Sequence, residues 1–382
     1  MSPEALNALL QGLQAAQDGL RGLLHALGLA GDVAGQPAWP FAQRIAAEML
    51  LIDAGHARRV CITLACAAAA LLAALLAVAL RRARWPLWGV SALLLALAPW
   101  PQAHLLFTPA VPTSLHRSPT GFAASGIVQG RAVFQAHCAR CHGADARGEG
   151  PDAAALPVWP PTLTGGLLWK RLDGELFWRI RHGMHARDGR ATMPGVAEAD
   201  VSDAQIWQVL DYLQAHAAGQ MLRGAGVWER PVRLPDTPIT CRHGPRDART
   251  LAGQRLRVVL AGAGAPPPDD PRFTTLWVGP LPAGVDAECH APQADAVQAL
   301  ALVLGAGPQQ AAGTLVLADR AGWLRARALP GQAAWSEDDL VCRAAPAAKP
   351  AAAPAAGDGL DVLIRRMDAE PVRLARGGFP HG

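Results

Sequence analysis

The densest chemistry in this chain lies in Cys138-Ala139-Arg140-Cys141-His142. Two thiols separated by two residues, with an imidazole directly after the second, suit three kinds of site. They can form thioethers to the two vinyl groups of one haem while the imidazole meets the iron. They can supply three donors to a tetrahedral zinc, or cycle as a dithiol. The adjoining histidine favours haem, but five residues recur by chance, and the surrounding chain has to decide.

Several further groups lie within reach along the chain. Pro160-Pro161-Thr162-Leu163 follows the motif, then His182-Gly183-Met184-His185, then Met193-Pro194-Gly195. A thioether sulfur opposite an imidazole favours reduced iron and raises the potential, which suits an electron carrier. Elements that could position these groups are legible on both sides. A helix reads from about Ile127 to Ala139, with Gly130 and Phe134 on one face. Glycine there admits a close helix crossing and phenylalanine supplies the contact. At the far end Ser202 and Gln205 form a capping box, and Ile206, Val209, Leu210 and Leu213 make an apolar stripe beside Tyr212.

The ordered set Gly-x-x-x-Phe, Cys-x-x-Cys-His, Pro-x-Leu, Met-Pro and a terminal helix with Tyr resembles the class I cytochrome c domain. It covers about a quarter of the chain, from residue 123 to 219. The resemblance implies an all-α fold holding one haem c, bound covalently through Cys138 and Cys141. His142 and Met193 would be the axial ligands, with Met184, His182 and His185 as alternatives for the distal position. It also implies that the Pro161 carbonyl accepts from the His142 ring, fixing its orientation. The expected activity is one-electron transfer with a terminal oxidase or a dehydrogenase as partner. A haem enzyme such as a peroxidase would need an open iron position, which Met193 ligation denies.

Upstream, residues 60–80 run without a charge between Arg58-Arg59 and Arg81-Arg82, long enough for a ~30 Å hydrocarbon layer. A second apolar run, about 85–107, carries Trp85, Trp88 and Trp100 near its ends and reads as a second span. Residues 1–57 hold an amphipathic leucine pattern that fits a membrane surface or another protein element equally, with no secretory signal pattern. Cys61 and Cys66 read as small apolar residues within the span. Arg81, Arg82 and Arg84 favour a cytoplasmic connection. Because haem attachment in the resembled family takes place outside the cytoplasm, the expected location is a bacterial inner membrane with the haem domain in the periplasm.

After a Pro-rich linker at 108–122 and the haem domain, residues 238–343 contain strand-like runs at Leu256–Leu260, Thr274–Val278 and Thr314–Ala318. Leu251-Ala252-Gly253-Gln254 leading into the first run, and the tight turn at Ala318–Arg325, resemble a thioredoxin-like α/β domain. The departure is that Gly262-Ala263-Gly264-Ala265-Pro266-Pro267-Pro268 stands where that family carries a redox Cys-x-x-Cys, so disulfide exchange has no nucleophile. Cys241, Cys289 and Cys342 permit one disulfide and a leftover thiol. Alternatively, Cys241 with His243 and Cys289 with His290 are donors suited to copper(I), and the chain would then be a haem-containing assembly or copper-handling factor. An Ala/Pro segment and tail, 344–382, close a multi-domain chain, with a helix possible near Leu360–Arg366. The net charge of +4 over 382 residues is small and spread out, and no basic stripe points to nucleic acid.

Overall fold

A computed structural model of the chain describes residues 3–47, 54–165, 168, 171–228, 230–262, 266–268, 270–332, 334–342 and 359–372. The Ala/Pro segment expected from Ala345 to Gly357 lies outside the described residues, as does part of the glycine-proline run after Leu260. Contacts divide the chain into one unit spanning residues 1–115 and another spanning 116–373.

The first unit opens with helix α1 (Pro3–Ala26) and a tight hairpin of β1 (Asp32–Val33) and β2 (Gln36–Pro37). Strand β3 (Gln43–Ile45), helices α2 (Ala54–Ala79), α3 (Arg84–Leu97) and α4 (Ala103–Leu106), and strand β4 (Phe107–Pro109) follow, with β4 antiparallel to β3. The leucine stripe of α1 divides in two. Leu10, with Leu6, Leu9 and Leu13, packs on Ala57 and Val60 of α2, whereas Leu20, Leu23 and Leu27 stay exposed.

Among the described residues, α2 is the one helix long and apolar enough to cross a membrane. Its 26 residues rise ~39 Å, and Leu71, Leu72, Leu75 and Val78 are exposed along it. The expected second span does not form as one helix. α3 stops at Leu97 after 14 residues, a rise of ~21 Å, because Ala98 turns extended and Pro99 and Pro101 cannot continue the hydrogen-bond ladder. Helices α2 and α3 make a hairpin in which Ser91 Oγ donates to the Ala70 carbonyl (2.9 Å) and Thr63 Oγ1 to that of Pro99 (3.0 Å).

The second unit begins with α5 (Ala124–His137) and the one-turn α6 (Ala139–His142). Next come α7 (Asp173–His182), a hairpin of β5 (Met184–His185) and β6 (Ala191–Met193), and the long α8 (Asp203–Ala225). The expected capping box starts α8: the Gln205 amide donates to Ser202 Oγ (3.3 Å) and the Ser202 amide to Gln205 Oε1 (2.8 Å).

A seven-stranded sheet follows, built from β7 (Pro238–Cys241), β8 (Gly244–Asp247), β9 (Leu256–Leu260), β10 (Thr274–Val278), β11 (Cys289–Ala291), β12 (Leu315–Ala318) and β13 (Leu324–Ala328). Its order is β13-β12-β9-β10-β11-β7-β8. The central pairs β9–β10 and β10–β11 are parallel and the flanking pairs antiparallel. Helix α9 (Ala294–Val303) packs on it, followed by the short α10 (Pro308–Ala311), and α11 (Gly359–Ala369) forms in the tail. Every residue of β9, the strand between β12 and β10, is buried.

A boundary at residue 219 would cut α8, which runs on to Ala225. Ala124 and Ile127 of α5 and Ala215, Ala218 and Leu222 of α8 share one core with β9, β10 and α9. Contact at Gly219 is so close that a Cβ there would stand 2.1 Å from the Leu302 carbonyl oxygen. The helical part and the sheet are therefore one packed body.

Cys241 and Cys289 are cross-strand partners on β7 and β11 and form a disulfide, leaving Cys342 buried as a free thiol. This corrects the copper(I) reading: both sulfurs are bonded to each other, and His290 Nε2 is engaged by the Gly279 carbonyl (2.7 Å). Burial raises the Cys342 thiol to about 11, which keeps it protonated and inert.

One buried carboxyl in α8 has a testable consequence. Asp211 is 3% exposed and accepts the Thr120 hydroxyl. Burial first, and Asp173 nearby as a smaller cause, raise it to about 7. The folded state thus holds a proton that the unfolded chain releases near 4, so stability falls as pH rises from about 4 to 7, by up to ~1.4 kcal/mol per unit. Asp211→Asn keeps an acceptor for Thr120 and should flatten that slope. Thermal midpoints measured from pH 4 to 8 check it; an unchanged slope would show that Asp211 does not titrate in this window.

Candidate functional site

Helices α5 and α8 cross where Gly130 meets Gln208, so closely that a Cβ on Gly130 would lie 1.9 Å from the Gln208 carbonyl oxygen. One turn later Phe134 is buried against Tyr212, ring centroids 5.3 Å apart. This crossing carries the chain directly into Cys138 and the single turn of α6, which delivers Cys141 and His142.

The segment after α6 folds back and fastens the motif. The Gly148 amide donates to the His142 carbonyl (2.8 Å), that of Asp152 to Arg140 (2.9 Å), and that of Leu163 to Ala146 (2.8 Å). The last of these holds the Pro160–Leu163 stretch beside the motif. On the other side, Phe177 of α7 stacks on Trp207 of α8 at 4.7 Å and sets the helix that leads into the β5–β6 hairpin.

Between these elements lies a cavity of about 450 Å3, within the ~300–1,000 Å3 range of small-molecule and cofactor sites. Cys138, Cys141 and His142 line one part of it, and Pro161, Met184 and Met193 line others. Leu156, Leu176, Ile180, Val209, Leu210 and Leu213 make much of the remaining wall apolar. Met184 and Met193 are opposed in the β5–β6 register, and directly opposed residues present their side chains on the same face. Met193 is half-buried and Met184 is 39% exposed. His182 lies against Trp178 instead, the rings tilted at 37° with centroids 3.8 Å apart, and neither His182 nor His185 is part of the cavity wall.

Burial lowers the pKa of His142, keeping its imidazole neutral, the form that binds a metal. Cys138 is raised to about 11 by burial and by Cys141 beside it. His142 Nδ1 is buried without a hydrogen-bond partner, so the Pro161 carbonyl does not engage it here. Two free thiols and a neutral imidazole lining one apolar cavity fit a haem held covalently and ligated by the imidazole. Among the described residues no three His, Cys, Asp or Glu side chains converge as a protein zinc site requires.

Sequence reasoning placed the cysteines, His142, Met193 and Met184 in this site. It missed Arg171 and Arg179, which also line the cavity. The spacing of Leu176, Arg179 and Ile180 along α7, three and four residues apart, was the available signal, but only with the position of the cavity does it gain meaning.

Comparison with known proteins agrees with this geometry. Residues 126–213 match the family model described as cytochrome c oxidase, cbb3-type, subunit III. A Cbb3-type cytochrome c oxidase subunit CcoP from Azospirillum sp. (strain B510) is 31% identical over 161 residues, 38% of this chain and 46% of that relative. The match thus spans about half the relative's length. A chain of the Kuenenia stuttgartiensis reducing HAO-like protein complex aligns over 33% of this chain and 59% of its own, at 20% identity and a TM-score of 0.23, from which no shared fold follows. Residues 126–213, with their paired cysteines and adjoining histidine lining one apolar cavity, are a c-type cytochrome domain, and such a domain holds haem c covalently.

Proposed function

We propose that the chain is a mono-haem electron carrier anchored in a bacterial inner membrane by α2, with the cytochrome domain on the periplasmic side. The observation that carries this reading is the convergence of Cys138, Cys141, His142 and Met193 on one cavity. When bound, haem c supplies a one-electron ferrous–ferric couple. Cys138 and Cys141 would hold it covalently, His142 and Met193 would ligate its iron, and the leucine-rich wall would exclude water. Pro161 lies in the cavity wall, and its carbonyl would accept a hydrogen bond from His142 Nδ1–H when the ring ligates iron.

The relative named as an oxidase subunit makes a terminal oxidase the partner we favour, with a dehydrogenase as the other candidate. The sheet region reads as a degenerate thioredoxin-like module without a redox Cys-x-x-Cys. Its parallel β9–β10 pair and the β12–β13 hairpin support that reading. Sharing a core with α5 and α8, it acts as a packing or binding platform rather than an oxidoreductase. No observation favours the copper-handling alternative now that Cys241 and Cys289 are paired.

Visible spectra of the haem-loaded protein test the carrier reading. Low-spin bands, a sulfur-to-iron charge-transfer band when oxidised, and no carbon monoxide binding are expected. Met193→Ala should remove the sulfur band and open the iron to carbon monoxide. If Met184→Ala does so instead, the distal ligand is Met184. A high-spin, carbon-monoxide-binding wild type would replace the carrier reading with a sensor or enzyme.

A further inference from the structure

We propose that Arg171 and Arg179 bind the two carboxylates of the haem, anchoring its polar edge in an otherwise apolar cavity. The inference rests on the cytochrome reading and adds residues to that site.

Among the described residues lining the cavity, these are the only two with a permanent charge, and no Asp or Glu lines it. Haem carries two propionates that are ionised at neutral pH. Placing a carboxylate against apolar side chains is strongly unfavourable unless a cation and its N–H groups receive it. Arginine is suited to that task because its planar fork meets both oxygens of a carboxylate.

The state of the two side chains points the same way. Neither guanidinium makes a hydrogen bond or ion pair with another described residue, although both are half-buried. Nearby arginines behave differently. Arg181, two residues along α7, is bound by Asp203 (2.5 Å) and the Val196 carbonyl (2.9 Å), and Arg140 by Asp152 (2.5 Å). Burial lowers the pKa of Arg179 and the Arg171 charge lowers it further, with Glu175 a partial offset. Two under-compensated cations beside one apolar cavity form an unfavourable arrangement that a dianionic edge would relieve. Solvated surface arginines are the alternative, but these two face a wall whose other residues are mainly apolar.

The test uses the haem-loaded full chain with R171Q, R179Q and R179K. Removing a cation near the iron makes electron addition harder, so both glutamine variants should show a lower reduction potential than wild type. The propionate-bending band in the resonance Raman spectrum should shift, while the sulfur-to-iron charge-transfer band stays in place. R179K should restore the potential, because the charge returns, but not the band, because the fork does not. If R179Q fails to accumulate haem, R179K decides: a shifted band supports the proposal and an unchanged one overturns it. Potentials and bands equal to wild type in both glutamine variants would also overturn it. Absence of covalent haem from the wild type would instead remove the cytochrome reading itself, so the two failures are distinguishable.

Discussion

Replacing both Cys138 and Cys141 with alanine abolishes covalent haem retention: after denaturation in acidified organic solvent, no haem remains with the polypeptide. Each single variant keeps one thioether, retains haem under the same treatment, and shows a reduced α-band shifted to the red because one vinyl stays conjugated. The expectation follows from both thiols being free and lining the cavity that His142 also lines. Cys241→Ser with Cys289→Ser provides the control. Those sulfurs are bonded to each other in the sheet, so haem retention should equal wild type while thermal stability falls by roughly 2–5 kcal/mol. Haem-stained denaturing gels and pyridine haemochrome spectra read both outcomes. Covalent haem surviving in the Cys138/Cys141 double variant would mean that attachment does not use this motif.

Gly130→Ala unfolds or strongly destabilises the protein, against the rule that alanine favours a helix over glycine by ~1 kcal/mol. The added Cβ would stand 1.9 Å from the carbonyl oxygen of Gln208 and 2.3 Å from its carbonyl carbon. Both are backbone atoms of α8, so no rotamer change relieves the clash and the two helices must separate. Separation pulls Phe134 from Tyr212 and loosens one wall of the cavity. We expect a cost of about 3 kcal/mol or more, a fall of roughly 6–12 °C in the thermal midpoint for a body of this size. Gly126→Ala is the matched comparison. It lies one turn earlier on α5, and its Cβ would meet only ordinary contacts, the nearest Gln208 Cγ at 3.6 Å. That variant should be neutral or more stable by ~0.5–1 kcal/mol. Similar effects from the two substitutions, read by thermal unfolding of the haem-loaded protein, would refute the helix crossing.

The contiguous parts of the site were legible in the sequence because the chemistry demands contiguity. Two thioethers and an axial ligand on one haem constrain Cys138, Cys141 and His142 to a single turn of chain. Gly130 and Phe134 share a helix face by local periodicity, and Ser202 and Gln205 cap a helix by local hydrogen bonds. For the same reason strands β9 and β10 carry the bounds that their apolar runs imply. Residues 60–80 announced an apolar helix by length alone, whereas in the run at 85–107 the helix stops at Leu97, where Pro99 and Pro101 interrupt the backbone ladder.

Tertiary structure decided what depends on residues distant in sequence. The pairing of Cys241 with Cys289 follows from β7 lying beside β11, a neighbour relation set by sheet order. The Gly219 contact, which joins α8 to α9, needs two backbones brought together from different parts of the chain, and no pattern at either end marks it. Met184, an alternative to Met193 already by sequence, stands directly opposite it only through the hairpin register. Arg171 and Arg179, unremarked by sequence, acquired their meaning when the fold set them in the wall of an apolar cavity with neither guanidinium in a hydrogen bond or ion pair with another described residue. Bond chemistry and helical periodicity are local and can be read along the chain; pairing, burial and unmet charge are relations between segments, and only the packed structure contains them.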